Sequence, residues 1–497
     1  MTLRAPRLVS VLVLVSALLP VLASAADQDD AAREARAAAK LAAQLTACRV
    51  AFADIDARID KAGVRDAGYH QVEGFPYLRS DRLMASFTKE ISDPDTYSIW
   101  ILQLRDNESF SRDIELRNLG LPNQERAGLL SDLRLCSVWL SLNELEDDAT
   151  RARMIKAVPV PPSPVATTST TKQGDAQIKA DFAKPLAQLP SSGSLALWQA
   201  ATPSVDEEAP PTFDRLSHDE LGRSGMTTQW WTSLAEAYAP RWQIETAGQQ
   251  DRFGAPVWIE TKDQGTQLSI NLDQPTVYYQ ASYMRFGGRS LIQFNYFIFF
   301  PSATPNAAPL DGMAWRVTLD PDGKPLVYDS VRMDGSDHLW FPAQTLPLRT
   351  LPKDQNALAL TLQNAPSEPW AVRLKSDDHL ARRLVPVAAN SSASTYMLKP
   401  YEDLLTVDLP KGGTRSIYGP TGVLAGSSTQ NAPWQLGALP ATSTGTRYFD
   451  DPYLIETVFV APAWPQESPH SISNKDVPPP DMASVLMQGE PSSPVTK

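Results

Sequence analysis

Cysteine is almost missing from this chain. Only Cys48 and Cys136 carry thiols among 497 residues, and only five residues are histidine. No paired Cys-x-x-Cys and no His-Glu-x-x-His occurs, which excludes the common zinc clusters and the zincin helix. Neither glycine-rich nucleotide loop is present, so phosphate-cradling folds of those types are excluded. The G-x-S-x-G elbow of the α/β-hydrolases is absent as well. Basic charge is short: 45 Lys and Arg stand against 57 Asp and Glu, a formal net charge of −12. Nucleic acid and anionic lipid both demand a basic surface, so neither is an expected partner. Beyond the N-terminus no apolar run is long enough for a transmembrane helix, and the processed chain is not expected to be an integral membrane protein.

What is present begins with an export address. Arg4 and Arg7 precede an apolar run from Val9 to Leu22, and Ala23-Ser24-Ala25 offers the small residues that a signal peptidase reads. The run is about 14 residues, short of the roughly 20 that span a bilayer, which favours a cleaved signal peptide over residues 1–25 against an uncleaved anchor. Its removal takes away two arginines and no acids, moving the formal charge from −12 to −14. The expected location is the periplasm or the exterior. In such a compartment Cys48 and Cys136 read as a disulfide, worth roughly 2–4 kcal/mol by closing a long loop, the alternative being two buried thiols.

The pattern along the chain is α+β, an N-terminal α-helical domain followed by a mostly antiparallel β-sheet domain. Residues 27–157 are helical. Leu41, Leu45, Cys48 and Phe52 form one helical face, and Leu129, Leu133, Cys136 and Leu140 form another. Asp93 before Pro94 predicts a capped helix start. Residues 158–225 have the Pro/Ser/Thr-rich composition of a linker, interrupted by a short helix around 176–189. A Ser169-Thr-Thr-Lys172 match to S-x-x-K lies there without partner motifs and carries no weight. Residues 226–461 open with a short helix around Trp230 and then read as strands at 241–245, 255–260, 266–271, 276–285, 289–300, 313–320, 324–331, 357–363, 369–374 and 452–460. The run Leu291–Phe300 is apolar enough for a central strand buried on both faces. Residues 462–497 form a polar tail expected to be disordered.

Four blocks carry a resemblance: Gly74-Phe-Pro-Tyr-Leu-Arg-Ser-Asp-Arg82, Asp251-Arg-Phe-Gly-Ala-Pro-Val-Trp258, Arg285-Phe-Gly-Gly-Arg289 and Leu310-Asp-Gly-Met-Ala-Trp-Arg-Val-Thr-Leu319. Together they resemble a family of exported proteobacterial proteins with no established function. That resemblance spans most of the mature chain in scattered blocks and implies export but no activity. Members of that family carry a Cys-Gly-Cys-x-His cluster before an aromatic-rich Phe-Pro. The corresponding stretch here is Asp334-Gly-Ser-Asp-His338-Leu-Trp-Phe-Pro342, with the histidine kept and the thiols replaced.

His338 has the richest polar company, with Asp329, Asp334 and Asp337 close in sequence. Asp329, Asp334 and His338 are candidate ligands for a divalent metal such as zinc or manganese. His338 and Asp337 are alternatively a carboxylate-oriented general base, and the bland alternative is a polar loop whose aspartates make turns. His379, after Asp377 and Asp378, poses the same question. Tyr278, Tyr279, Tyr283, Phe286, Phe294, Tyr296, Phe297, Phe299 and Phe300 crowd adjacent strands, either as a stacking face for a ligand or as an aromatic core, the core being favoured. The expected function is a non-catalytic binding or assembly module of the cell envelope, with no cofactor and an envelope protein or polymer as partner. The alternative is a hydrolase or metal-dependent enzyme built around His338.

Overall fold

The computed structural model describes residues 12–464 except 92, 160–174, 190, 202–212, 214–217, 226–227, 264, 304–307, 344–345, 351–357, 361–369, 389, 428–432 and 439–448, with side chains from residue 31 onward. Residues 1–11 of the stretch read as a signal peptide, the Ser169–Lys172 match and the tail beyond 464 lie outside the described residues.

The helical module holds α1 (Leu12–Ala62), a hairpin of β1 (His70–Val72) and β2 (Phe75–Ser80), α2 (Arg82–Ser86), α3 (Pro94–Asn118), α4 (Asn123–Glu144) and α5 (Asp148–Ala157). Asp93 caps α3 by accepting from the amides of Asp95 and Thr96, with Pro94 in the first turn, as its sequence predicts. Phe52, Ile59, Leu78, Trp100, Leu104 and Leu140 meet in its core. Cys48 and Cys136 are joined, tying α1 to α4 across 88 residues. Among the described residues no helix is long and apolar enough to cross a membrane.

The rest of the chain contributes α6 (Asp175–Ala183), β3 (Ser194–Ala200), α7 (Thr228–Ala237), β4 (Trp242–Thr246), β5 (Ala255–Thr261), β6 (Gly265–Asn271), β7 (Thr276–Phe286), β8 (Arg289–Pro301), β9 (Leu310–Leu319) and β10 (Pro325–Arg332). There follow β11 (Leu339–Pro342), β12 (Leu358–Ala359), β13 (Trp370–Leu374), β14 (Ala381–Pro386), β15 (Ser394–Pro400), β16 (Val407–Asp408), β17 (Thr414–Arg415) and α8 (Leu454–Val458). Eleven strands form one sheet in the order β12-β11-β10-β9-β8-β7-β15-β3-β4-β13-β14.

The α+β class holds, but the sheet is mixed rather than mostly antiparallel. From β11 to β7 the neighbours are antiparallel, because tight connections such as Asp320–Gly323 turn the chain straight back. Beyond β7 the pairs β7/β15, β15/β3 and β4/β13 are parallel, as is β11/β12 at the other end. Those strands come from segments far apart in the chain, and parallel neighbours require such long connections. One of them, β3, lies within the 158–225 stretch read as linker. The 452–460 stretch, read as a strand, is mainly helical: Leu454, Ile455 and Val458 are spaced for one helical face and are buried.

β8 is central and buried on both faces, as its composition implies. Ile292, Phe294, Tyr296, Ile298 and Phe300 enter one core, while Leu291, Phe297 and Phe299 enter the other. The aromatic residues crowding β7 and β8 are thus mainly core. The helical module docks on the second of these faces through Arg82 and Asp450, Asp66 and Gln435, Asn118 and the Leu405 carbonyl, and Arg285 with Glu90.

Candidate functional site

A cavity of about 230 Å³ separates the helical module from the face of β7, β8 and β9. Its floor originates in strand alternation. Gln293 and Asn295 sit two apart in β8, so both point to the same face, interrupting an otherwise apolar run. Register extends that interruption sideways: Gln280, Asn295, Arg316 and Asp329 are opposed in turn across β7, β8, β9 and β10. Ser282, Gln293 and Thr318 form the next row.

The floor is hydrogen-bonded within itself. Asn295 Nδ2 donates to Ser282 Oγ at 2.9 Å, and Gln293 Nε2 donates to Thr318 Oγ1 at 2.8 Å. Arg316 makes a two-pronged pair with Asp329 at 2.7 and 2.6 Å and donates to the Phe449 carbonyl at 2.8 Å. The Phe449 ring lies 3.8 Å from its guanidinium carbon. Arg316 is only 1% exposed, so its charge depends on that pairing. Burial pushes the Asp329 carboxyl up, but Arg316 and His338 outweigh it and hold it below the usual range.

The roof comes from the helical module. Asp81 caps α2 through the Met84 amide at 2.7 Å, and burial raises its carboxyl above the ordinary value. Arg82 reaches across to Asp450 at 2.6 Å and to the Gly437 carbonyl at 2.7 Å. Gly437 has φ of 91°, and a Cβ there would lie 2.3 Å from the Gly68 carbonyl oxygen, so the two segments meet at the rim only because position 437 is glycine. Behind the roof, Arg79 and Arg112 interlock with Glu108 and Glu115, all buried, and Glu115 accepts from the Asp66 amide at 3.0 Å. Asp66 in turn accepts from Ser111 Oγ at 2.7 Å.

Among the described residues that line this cavity, Asn107, a side chain 4% exposed, and Gln280 each keep a buried polar atom, Nδ2 and Oε1, with no hydrogen-bond partner in the protein. Asn107 Oδ1 is already taken by Gln103 at 3.0 Å. Each unmade bond costs about 1–3 kcal/mol relative to a satisfied group.

His338 lies beside Asp329 at the end of the polar row and is not among the residues lining the cavity. Its side chain is fully buried, its Nε2 is 3.5 Å from Asp329 Oδ2, and its ring packs on Trp340 and Phe449. Burial lowers its pKa, with Asp329 opposing, so the imidazole is neutral near pH 7. Asp334 is occupied by its own turn, accepting from the Ser336 amide and hydroxyl at 2.9 and 2.6 Å. Asp337 is buried in a left-handed conformation with φ of 52°. Asp329 and His338 are therefore brought together, while Asp334 is turned inward on its own loop. Among the described residues no group of three or more His, Cys, Asp or Glu is arranged to hold a metal.

His379 has a different setting. It stacks on Phe300 at 3.7 Å, with Nε2 3.5 Å from Asp251 and Nδ1 3.4 Å from Asp311, which Arg332 also grips. Burial lowers its pKa, but the two carboxylates outweigh burial and raise it overall. It joins β14's approach to the end of β9 and lines no cavity described here.

Sequence reading alone did not single out Asn107, Gln280, Gln293, Asn295 or Arg316. The legible signal was the i, i+2 pair of amides inside β8 and the arginine between Trp315 and Val317, polar residues at positions where strand alternation faces inward. No family model, curated protein or solved structure matches this chain.

Proposed function

We propose that this is an exported, non-catalytic binding protein whose ligand is a small polar molecule held between the helical module and the sheet. The observation that carries the reading is the polar cavity whose lining residues Asn107 and Gln280 keep buried side-chain atoms unsatisfied among the described residues. Native proteins rarely bury such atoms without a partner, and a ligand is one way to supply it. The signal-peptide pattern of residues 1–25 and the Cys48–Cys136 bridge support work in an oxidising compartment. The full burial of His338, away from the residues lining the cavity, speaks against its acting directly on a substrate.

Native mass spectrometry of the untagged protein recovered from its own cell envelope tests this. The expected spectrum is a processed chain, lighter by the two hydrogens of a disulfide, carrying a small-molecule adduct that Asn107→Leu removes. Turnover of an envelope substrate that disappears with His338→Ala would instead establish the enzyme reading.

A further inference from the structure

The charges on the cavity wall narrow the ligand's chemistry. Each arginine there is neutralised by the protein itself: Arg82 by Asp450 at 2.6 Å, Arg223 by Asp219 at 2.7 Å and Arg316 by Asp329 at 2.6 Å. Asp66 and Asp81 contribute carboxylates to the same wall, and the bonds they accept come from neutral donors. An anion entering would meet those carboxylates with the cations already engaged. A simple cation would suit the carboxylates but would give the Asn107 amide no acceptor. A molecule that satisfied both buried atoms would have to accept at one and donate at the other. Asn107 Nδ2 requires a lone pair, and Gln280 Oε1 requires a proton.

A hydroxyl supplies both, and several hydroxyls on one ring supply them in fixed directions. Tyr69 and Phe110 add aromatic rings to the same wall for the C–H side of such a molecule. The volume of about 230 Å³ has room for one such ring. We propose that the ligand is an uncharged sugar, a single pyranose-sized unit, with Asn107 and Gln280 as its specificity-determining contacts. This rests on the reading of the cavity as a binding site.

Isothermal titration calorimetry on the full processed protein tests it, with D-glucose, D-galactose, D-mannose and N-acetyl-D-glucosamine as sugars and putrescine, L-alanine and inorganic phosphate as charged probes. One sugar should bind one-to-one. Its affinity should fall about tenfold in Asn107→Asp, which keeps the shape but exchanges donor for acceptor, and similarly in Gln280→Leu. A thermal midpoint measured alongside separates lost binding from lost folding. If Asn107→Asp unfolds, the part-exposed Gln280→Leu carries the comparison. A sugar that binds equally well to both variants sits elsewhere, and the proposal is overturned. If putrescine, alanine or phosphate binds in place of the sugars and is lost in the variants, the ligand class is wrong while the cavity reading stands. If no probe binds and the native mass spectrum holds a bare chain, both readings fall.

Discussion

The two faces of β7 to β10 are made by the same strands and could hardly differ more. One face presents Phe294, Tyr296, Trp315, Val317 and Tyr328 to a core of apolar and aromatic side chains. The other alternates with it residue by residue, yet Gln280, Asn295, Arg316 and Asp329 cross its middle in one row. An apolar row would hold the sheet at least as well, since buried ion pairs seldom out-stabilise hydrophobic side chains of the same volume. The polar row therefore marks where packing has given way to another requirement, and it lies under the cavity.

The sharpest way to break that comparison is to remove one half of the buried pair. Arg316→Met alone leaves Asp329 charged and unpaired and should cost about 3–5 kcal/mol in denaturant unfolding. The double change Arg316→Met with Asp329→Leu should recover most of that loss, while ligand binding does not return. On the opposite face Trp315→Ala should cost a similar 3–5 kcal/mol through the void it opens, and unfolding of that variant should not be rescued by any change at Asp329. Recovery by the double variant at Arg316 is thus the discriminating result.

Smaller is the effect of the bridge between α1 and α4. Cys48→Ser with Cys136→Ser should lower stability by roughly 2–4 kcal/mol, read as a shift in the urea midpoint of the full chain. Wild-type protein in reducing agent should show the same shift.

Smaller still is the contrast between the two buried histidines. The pKa of His379 is raised by Asp251 and Asp311, so its contribution is fully present below the unfolded value of about 6.5 and is lost as pH rises through its folded value. That of His338 is lowered by burial, so its contribution is intact above about 6.5 and is lost as pH falls towards the lowered folded value. Thermal midpoints between about pH 5 and 8 should therefore move oppositely: acidification should hurt His379→Gln more than wild type and His338→Gln less. Equal slopes in both variants would remove this difference between the two sites.

The smallest expected effect on folding is at the cavity itself. Asn107→Leu removes an amide that makes one bond, to Gln103, and leaves one unmade, so ligand-free stability should stay within about 1 kcal/mol of wild type. A large loss would show that Asn107 serves the fold rather than a ligand.

Much of the architecture was legible from local rules. The Asp93-Pro94 start of α3, the helical faces carrying Cys48 and Cys136, the Asp320–Gly323 turn and the doubly buried β8 follow from capping, periodicity and turn chemistry. Strand direction was not. β3 occupies a stretch with linker composition and gains its place only by pairing with β4 and β15. The site was less legible again. His338 drew attention through its neighbours in sequence, but Asp334 turned back on its own loop and Asp329 belongs to Arg316 from the adjacent strand. Glu108, Arg112 and Glu115 recur along the inner face of α3, and only Arg79 arriving from β2 makes their burial tolerable.

What the amino-acid order determined by itself is therefore what depends on near neighbours. The leader pattern, the helical and extended periods, the two thiols on facing apolar stripes and the acidic balance can all be read from short windows, because each is governed by interactions over a few residues. Tertiary structure alone decided the rest. Register placed Gln280, Asn295, Arg316 and Asp329 in one row, and docking of the helical module closed a cavity over it. Register joins residues of four successive strands and docking joins residues hundreds of positions apart, as with Asp66 and Gln435, and no local preference encodes which distant partner will satisfy a buried polar atom.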